Sequence, residues 1–150
     1  VLPWLERLLA LAQQAHSHPW TRAHFISALR AGYEIQLLIS AADSAAHELI
    51  GYFVAMTALD EVHLLDLAVA APRQRQGWAR VLLDALALRA RQQQAQSLWL
   101  EVRQSNTRAR AVYTANGFVE AGLRKNYYPA RGTQREHAVL MQRPLWTTTP

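Results

Sequence analysis

Apolar residues recur along this chain at two spacings: every three to four positions, and in short unbroken runs closed by turn residues. Leu5, Leu8, Leu9 and Ala12 mark one side of a helix expected over 3–15, with Pro3 suited to its first turn. His16-Ser17-His18-Pro19-Trp20 interrupts it. Thr21 can cap a second helix whose inner side carries Phe25, Ala28 and Leu29 and which stops at Gly32. Residues 33–40 and 48–59 read as strands on either side of a loop at 41–46. Asp60-Glu61 turns the chain into a third strand, which predicts an antiparallel hairpin.

That third strand leads into the most informative stretch. The apolar run around Leu67-Ala68-Val69 is closed by Pro72, and helical spacing resumes with Leu82, Leu83, Leu86, Ala87 and Ala90, fading near Gln94. Between strand and helix lie Arg73, Gln74, Arg75, Gln76 and Gly77. A helix opening here points unpaired amides and the positive end of its dipole at the turn. Gly77 removes a side chain that would hold a ligand off that backbone. Such a strand–turn–helix suits a phosphate or pyrophosphate, although an ordinary connecting turn has the same outline. Neither GxGxxG nor GxxxxGK[ST] occurs in the chain.

After the helix, 97–102 forms another short apolar strand, and a strand–helix–strand order implies a parallel pair. Ser105 or Asn106 caps a further helix with Ala109, Val112 and Tyr113 inward, stopped by Asn116-Gly117. Strands are expected over 118–123 and 137–142, joined by a loop holding Asn126-Tyr127-Tyr128-Pro129 and Gly132. Residues from 143 to 150 are expected to trail off as a C-terminal tail. The fold class is α+β: one domain over 1–150, with a mixed, mostly antiparallel sheet and helices on both faces.

Composition narrows the function classes. Apolar residues make up 51% and charged ones 18%, which places the chain among folded globular proteins. No apolar run approaches the roughly 20 residues of a membrane span, and the first residues lack the basic-then-apolar pattern of a signal peptide. Cysteine is absent, which excludes disulfides, thiolate metal sites and a cysteine nucleophile and favours the cytoplasm. The net charge of +5 fits a polyanionic ligand, or simply a basic surface; with the arginines dispersed, nucleic acid is not an expected direct ligand. The six histidines include no HExxH, and His16 with His18 reads as a solvated loop rather than a metal pair.

Gln74-x-x-Gly77-x-Ala79 resembles the pyrophosphate loop of the GNAT acyltransferases, which bind acetyl-CoA. Leu98-Trp99-Leu100-Glu101-Val102-Arg103-x-Ser105-Asn106, Ala111-x-Tyr113, Asn116-Gly117-Phe118 and Arg124-Lys125-Asn126-Tyr127-Tyr128-Pro129 resemble, in that order, the RimI family of GNAT-fold N-terminal amine acetyltransferases. These are named for acetylating the N-terminal alanine of a small-subunit ribosomal protein. The resemblance runs over 16–145 and includes an early Pro19-Trp20; Ala79 stands where glycine is commoner.

The resemblance implies roles residue by residue. Leu67, Ala68 and Val69 would present backbone to the pantetheine arm. Arg75, Gln76, Gly77, Trp78, Ala79 and Arg80 would wrap the pyrophosphate, and Asn106 would bond the cofactor. Glu101 would be the proton acceptor and Tyr113 the acid for the leaving thiolate. Pro19, Trp20, Tyr127 and Tyr128 would surround the first residues of the peptide.

The residues alone leave alternatives. Glu101 could be a strand-end carboxylate in a surface salt bridge, Tyr113 a core aromatic, Asn106 purely a cap, and Tyr127 and Tyr128 parts of a hairpin loop. Glu61 and Asp66 are further carboxylates near the expected cleft that Glu101 and Tyr113 could flank. The chemistry favours a chain terminus: an α-amine of pKa ~8 is roughly one-tenth neutral at pH 7, a lysine at ~10.4 about one part in a few thousand. The expected reaction is direct transfer from acetyl-CoA, without an acyl-enzyme or a metal, by a monomer. Rival readings are an Nε-lysine or small-amine acetyltransferase and a non-catalytic CoA-sensing, ribosome-associated module.

Overall fold

The computed structural model describes residues 2–40, 47–130 and 132–146; the expected loop at 41–46 and the last four residues of the expected tail lie outside them. Two compact units divide the chain, Val1–Met56 with Leu65–Ala85 and Thr57–Leu64 with Leu86–Pro150. The fold is α+β with a mixed, mostly antiparallel sheet.

In the first unit a short 3-10 turn, Leu2–Trp4, leads into α1 (Leu5–Ala15). Its buried stripe is Leu5, Leu8, Leu11 and Ala12, so Leu11 rather than Leu9 completes the expected face. Helix α2 (Arg22–Arg30) starts at Thr21, whose hydroxyl accepts from the His24 amide while its own amide donates to His24 Nδ1 at 3.0 Å. This is a reciprocal capping box with histidine in the place of the usual Glu or Gln. Strands β1 (Glu34–Ile39) and β2 (Leu49–Ala58) run antiparallel from Glu34↔Ala55 to Ile39↔Leu49. The two helices and the strands share one core, with Leu8, Phe25, Tyr52 and Val54 shut off from solvent.

Leu59-Asp60 joins β2 to β3 (Glu61–Val69), its hydrogen-bonded neighbour. So short a link allows only antiparallel pairing. Gly51 of β2 has no alternative residue: a Cβ there would stand 2.6 Å from the Ala68 carbonyl oxygen.

In the second unit the first half of β3 pairs in parallel with β4 (Ser97–Arg103), from Glu61↔Ser97 to Leu64↔Leu100. The connection between them contains α3 (Trp78–Gln92), whose Leu82, Leu83, Leu86, Ala87 and Ala90 are all buried, as their spacing predicts. Helix α4 (Thr107–Ala115) follows, and Asn106, not Ser105, caps it: Oδ1 accepts from the Ala109 amide. Ala109, Val112 and Tyr113 are only half-buried. The strand order in this unit is β3-β4-β6-β5.

The last hairpin departs from expectation. Strands β5 (Val119–Pro129) and β6 (Arg135–Pro144) are nearly twice as long as predicted, and Asn126-Tyr127-Tyr128-Pro129 belongs to β5 instead of a loop. The pairing reaches Tyr128↔Glu136 and Pro129↔Arg135 after a bulge between Arg124 and Tyr128, where Asn126 has φ +55°. Almost every residue of β5 is exposed, so no apolar alternation announces it. The tail also starts later than expected. Leu145 is buried, and Trp146 Nε1 donates to the Ala95 carbonyl at 2.8 Å. Among the described residues no helix is long and apolar enough to cross a membrane.

Candidate active site

The phosphate-loop candidates lie in the first unit. Beyond Val69 the chain makes a 3-10 turn, Ala71–Arg73, then reverses through Arg75 at φ +65° and Gly77 at φ +88° into α3. Gln74 ties the turn back by donating to the Val69 carbonyl at 3.0 Å. Arg73 is held by Glu48. The first helical bond runs from the Val81 amide to the Gly77 carbonyl, so the amides of Trp78, Ala79 and Arg80 have no acceptor within the helix. Nothing lies within 4 Å of where a Gly77 side chain would start. Arg75, Gln76 and Arg80 are exposed, while Trp78 Nε1 donates to Gln76 Oε1 at 3.1 Å. Upstream, Ala68 and Val69 are buried and Leu67 half-buried.

A second group of predicted residues meets in the second unit. Glu101 of β4 and Arg124 of β5 are separated by β6, yet Arg124 Nη1 donates to Glu101 Oε1 at 3.0 Å. Register explains the reach: Arg103 and Arg124 both face Ala138, and Glu101 and Gly122 both face Leu140. Residues opposite one another share a sheet face, and the small Ala138 leaves the lane between the outer strands open. The Tyr127 ring lies under Arg124, 4.8 Å from the guanidinium carbon, and Tyr128 takes Arg103 in the same way at 4.5 Å. The two tyrosine rings meet edge to face at 4.9 Å.

Burial, then the hydrogen bond to Glu101 and its negative charge, lifts the Tyr127 hydroxyl above the ordinary phenol range, with Arg124 opposing. Burial and the charge of Glu101 push Tyr128 up to about 12. Both therefore stay protonated donors at neutral pH. Arg103 is fixed by the Pro129 carbonyl at 2.8 Å and by Glu136, whose other oxygen accepts from the Ser105 amide at 2.8 Å. Arg103 and Arg124 lie within the motifs that carry the family resemblance, but their spacing alone assigns them no role, and Glu136 stands outside those motifs. Tyr113, on the second turn of α4, packs edge-on against Phe118 at 5.7 Å.

Pro19 and Trp20, between α1 and α2, are half-buried in the first unit. Trp20 meets Phe25 edge-on at 5.2 Å, and Phe25 meets Tyr52 at 5.6 Å. The Tyr52 hydroxyl donates to Asp66 Oδ2 at 2.5 Å. His16 is not the solvated loop residue its surroundings predict: its Nε2 stands 3.0 Å from Asp66 Oδ1. Glu61 pairs instead with His63 at 2.8 Å, and His18 with Ser17 at 3.1 Å.

Comparison with known proteins identifies the family of the chain. The family model for the acetyltransferase (GNAT) family matches residues 5–118. A [ribosomal protein bS18]-alanine N-acetyltransferase from Haemophilus ducreyi is 39% identical over 90% of each chain, and its Escherichia coli counterpart is 37% identical over 90% of this chain and 87% of its own. The crystal structure of the ribosomal-protein-S18-alanine N-acetyltransferase from Escherichia coli superposes with a TM-score of 0.82 at 34% identity, covering 97% of this chain and 90% of that one. With the strand order, the loop after β3 and these relatives in agreement, the chain is an acyltransferase and belongs to the acetyltransferase (GNAT) family.

Proposed function

We propose that residues 1–150 act as one domain that transfers an acetyl group from acetyl-CoA to the free α-amine of a protein beginning with alanine, the ribosomal protein bS18 being the substrate its relatives' names suggest. The observation that carries this reading is the similarity to the bS18-alanine N-acetyltransferases, sustained at 39% over nine-tenths of both chains. The reading implies a cytoplasmic enzyme working as a monomer, with a peptide terminus and not a nucleic acid as its partner.

The loop after β3 fits the diphosphate of the donor. Its amides at the start of α3 are free of helical acceptors, Gly77 leaves the approach open, and Arg75 and Arg80 are exposed cations. Arg75, Gln76, Gly77, Trp78, Ala79 and Arg80 would hold that group. Leu67, Ala68 and Val69 would offer backbone partners to the pantetheine arm, and Asn106 a side-chain amide that its capping bond leaves partly available. When bound, acetyl-CoA supplies an activated thioester.

The chain's own residues do the proton chemistry. Glu101 takes the proton that the α-ammonium must lose before its nitrogen can attack. Tyr113 gives a proton to the departing thiolate. The Tyr127 and Tyr128 hydroxyls, protonated at working pH, orient the peptide backbone, and Pro19 and Trp20 limit the first side chain. Neither a cysteine nor GxSxG is present, in keeping with direct transfer to the amine without an acyl-enzyme.

The test is thiol release from acetyl-CoA in the presence of an alanine-initiated peptide, with mass spectrometry locating the acetyl group. Acetylation of the α-amine is expected. Equal turnover on a peptide whose α-amine has been blocked would move the assignment to lysine side chains.

A further inference from the structure

The first unit contains a buried polar cluster that proton transfer at Glu101 does not use. Asp66 of β3 keeps 8% of its side chain exposed and Tyr52 of β2 none. Asp66 accepts the Tyr52 hydroxyl on one oxygen and faces His16 on the other. His16 is the first residue beyond α1, where its amide closes the helix on the Ala12 carbonyl. Its Nε2 stands 3.0 Å from Asp66 Oδ1, within ion-pair distance, so that protonation of the imidazole strengthens the contact.

The loop from His16 to Trp20 is thus anchored twice on one centre. His16 contacts Asp66 directly, and Trp20 reaches it through the edge-to-face series Trp20–Phe25–Tyr52. Asp66 directly precedes Leu67, Ala68 and Val69. We propose that His16 is a positioning residue for the peptide substrate, holding Pro19 and Trp20 in register with β3 through Asp66 and Tyr52. This inference rests on the proposed reading of Pro19 and Trp20 as peptide contacts.

The contact depends on the charge of His16. Burial opposes that charge, but the Asp66 carboxylate and the Leu67 carbonyl outweigh it and hold His16 above the ordinary imidazole range. The anchor is therefore complete below about pH 6.5 and is lost as the pH rises through the value in the folded protein. The other titratable and charged groups nearby each have a partner of their own. Tyr52 is a neutral phenol donating to Asp66, and His24 of α2 is bonded to Thr21. His18 is bonded to Ser17, and Arg73 of the 3-10 turn packed on α1 is taken by Glu48.

The experiment compares the full chain with His16→Gln and Asp66→Asn from about pH 6 to about pH 9, measuring kcat and the KM of both substrates. The peptide's own amine titrates in this range, so the quantity read is the ratio of variant to wild type at each pH. His16→Gln is expected to raise peptide KM about tenfold at the acid end and to converge on wild type at the alkaline end, with kcat and the KM of acetyl-CoA within about twofold. A ratio flat with pH, or no change in peptide KM, overturns the proposal. Amide hydrogen exchange over residues 16–20 gives a reading independent of turnover. Protection should fall with rising pH in wild type and be low throughout in His16→Gln, and equal protection in both overturns the anchor. Absence of peptide turnover in wild type would instead sink the functional reading, and the exchange comparison would still decide whether His16 holds the loop. If Asp66→Asn fails to fold, His16→Gln alone decides.

Discussion

Arg124 reaches across an intervening strand to place a guanidinium nitrogen 3.0 Å from the Glu101 carboxylate. The proposed base thus meets its substrate already partnered by a cation that also covers the Tyr127 ring. The pair lies near the surface, so its strength matters less than the direction it gives the carboxylate. Arg124→Gln should lower kcat about tenfold, about 1.4 kcal/mol, while leaving acetyl-CoA binding measured by calorimetry unchanged. Unaltered kcat would mean that Glu101 needs no such orientation.

Glu101→Gln keeps the shape of the side chain and removes its capacity to accept a proton. The expected loss is about 10²- to 10⁴-fold in kcat, with acetyl-CoA affinity within about twofold. Tyr113→Phe should act on the same step from the leaving-group side. Steady-state kinetics paired with calorimetry separate chemistry from binding. Full turnover in both variants would remove them from the mechanism.

Gly77 combines φ +88° with open space beyond it. In Gly77→Ala the added methyl meets nothing in the free protein, so the cost comes from the backbone, about 1–2 kcal/mol. Thermal unfolding should show that modest loss. Calorimetry should show a larger one in CoA affinity, because the loop can no longer present its amides as before. A normal affinity would take the diphosphate away from this turn.

Gly51→Ala tests packing alone. The new methyl would lie 2.6 Å from the Ala68 carbonyl oxygen, a backbone atom that cannot swing aside. A loss of about 1–3 kcal/mol is expected in urea unfolding. A neutral result would mean that the two strands separate easily at this point.

Glu136 is held below the usual carboxylate range, first by its hydrogen bonding to Ser105 and, against some burial, by Arg103 as well. A depressed value means stability that is present above about pH 4.5 and lost as the pH falls through the lower value of the folded state. Glu136→Gln should therefore be less stable than wild type at neutral pH and match it in acid. Urea midpoints at several pH values check this.

The helices and inner strands were legible because their burial follows a period. Leu82, Leu86 and Ala90 announce α3, and Thr21 and Asn106 announce their helices by cap chemistry. The tip of the last hairpin was not legible. An exposed, bulged strand has no apolar alternation, and Asn126 with Pro129 mimics a loop. The union of Glu101 with Tyr127 depends on a pairing register that no local spacing reveals. His16 and Asp66 are fifty residues apart. A histidine beside serine and proline looks like solvated loop until the strand that faces it is known.

The outer strand β5 has one more consequence. Asn126 breaks its regularity, and Arg135 donates to the carbonyls of Asn126 at 2.7 Å and Tyr127 at 2.8 Å, so this stretch of margin has its acceptors occupied. A protein that handles loose chain ends must not zip up with every extended segment it encounters. The kink and its arginine stopper withhold these two carbonyls from any extended polypeptide that would otherwise pair along this stretch.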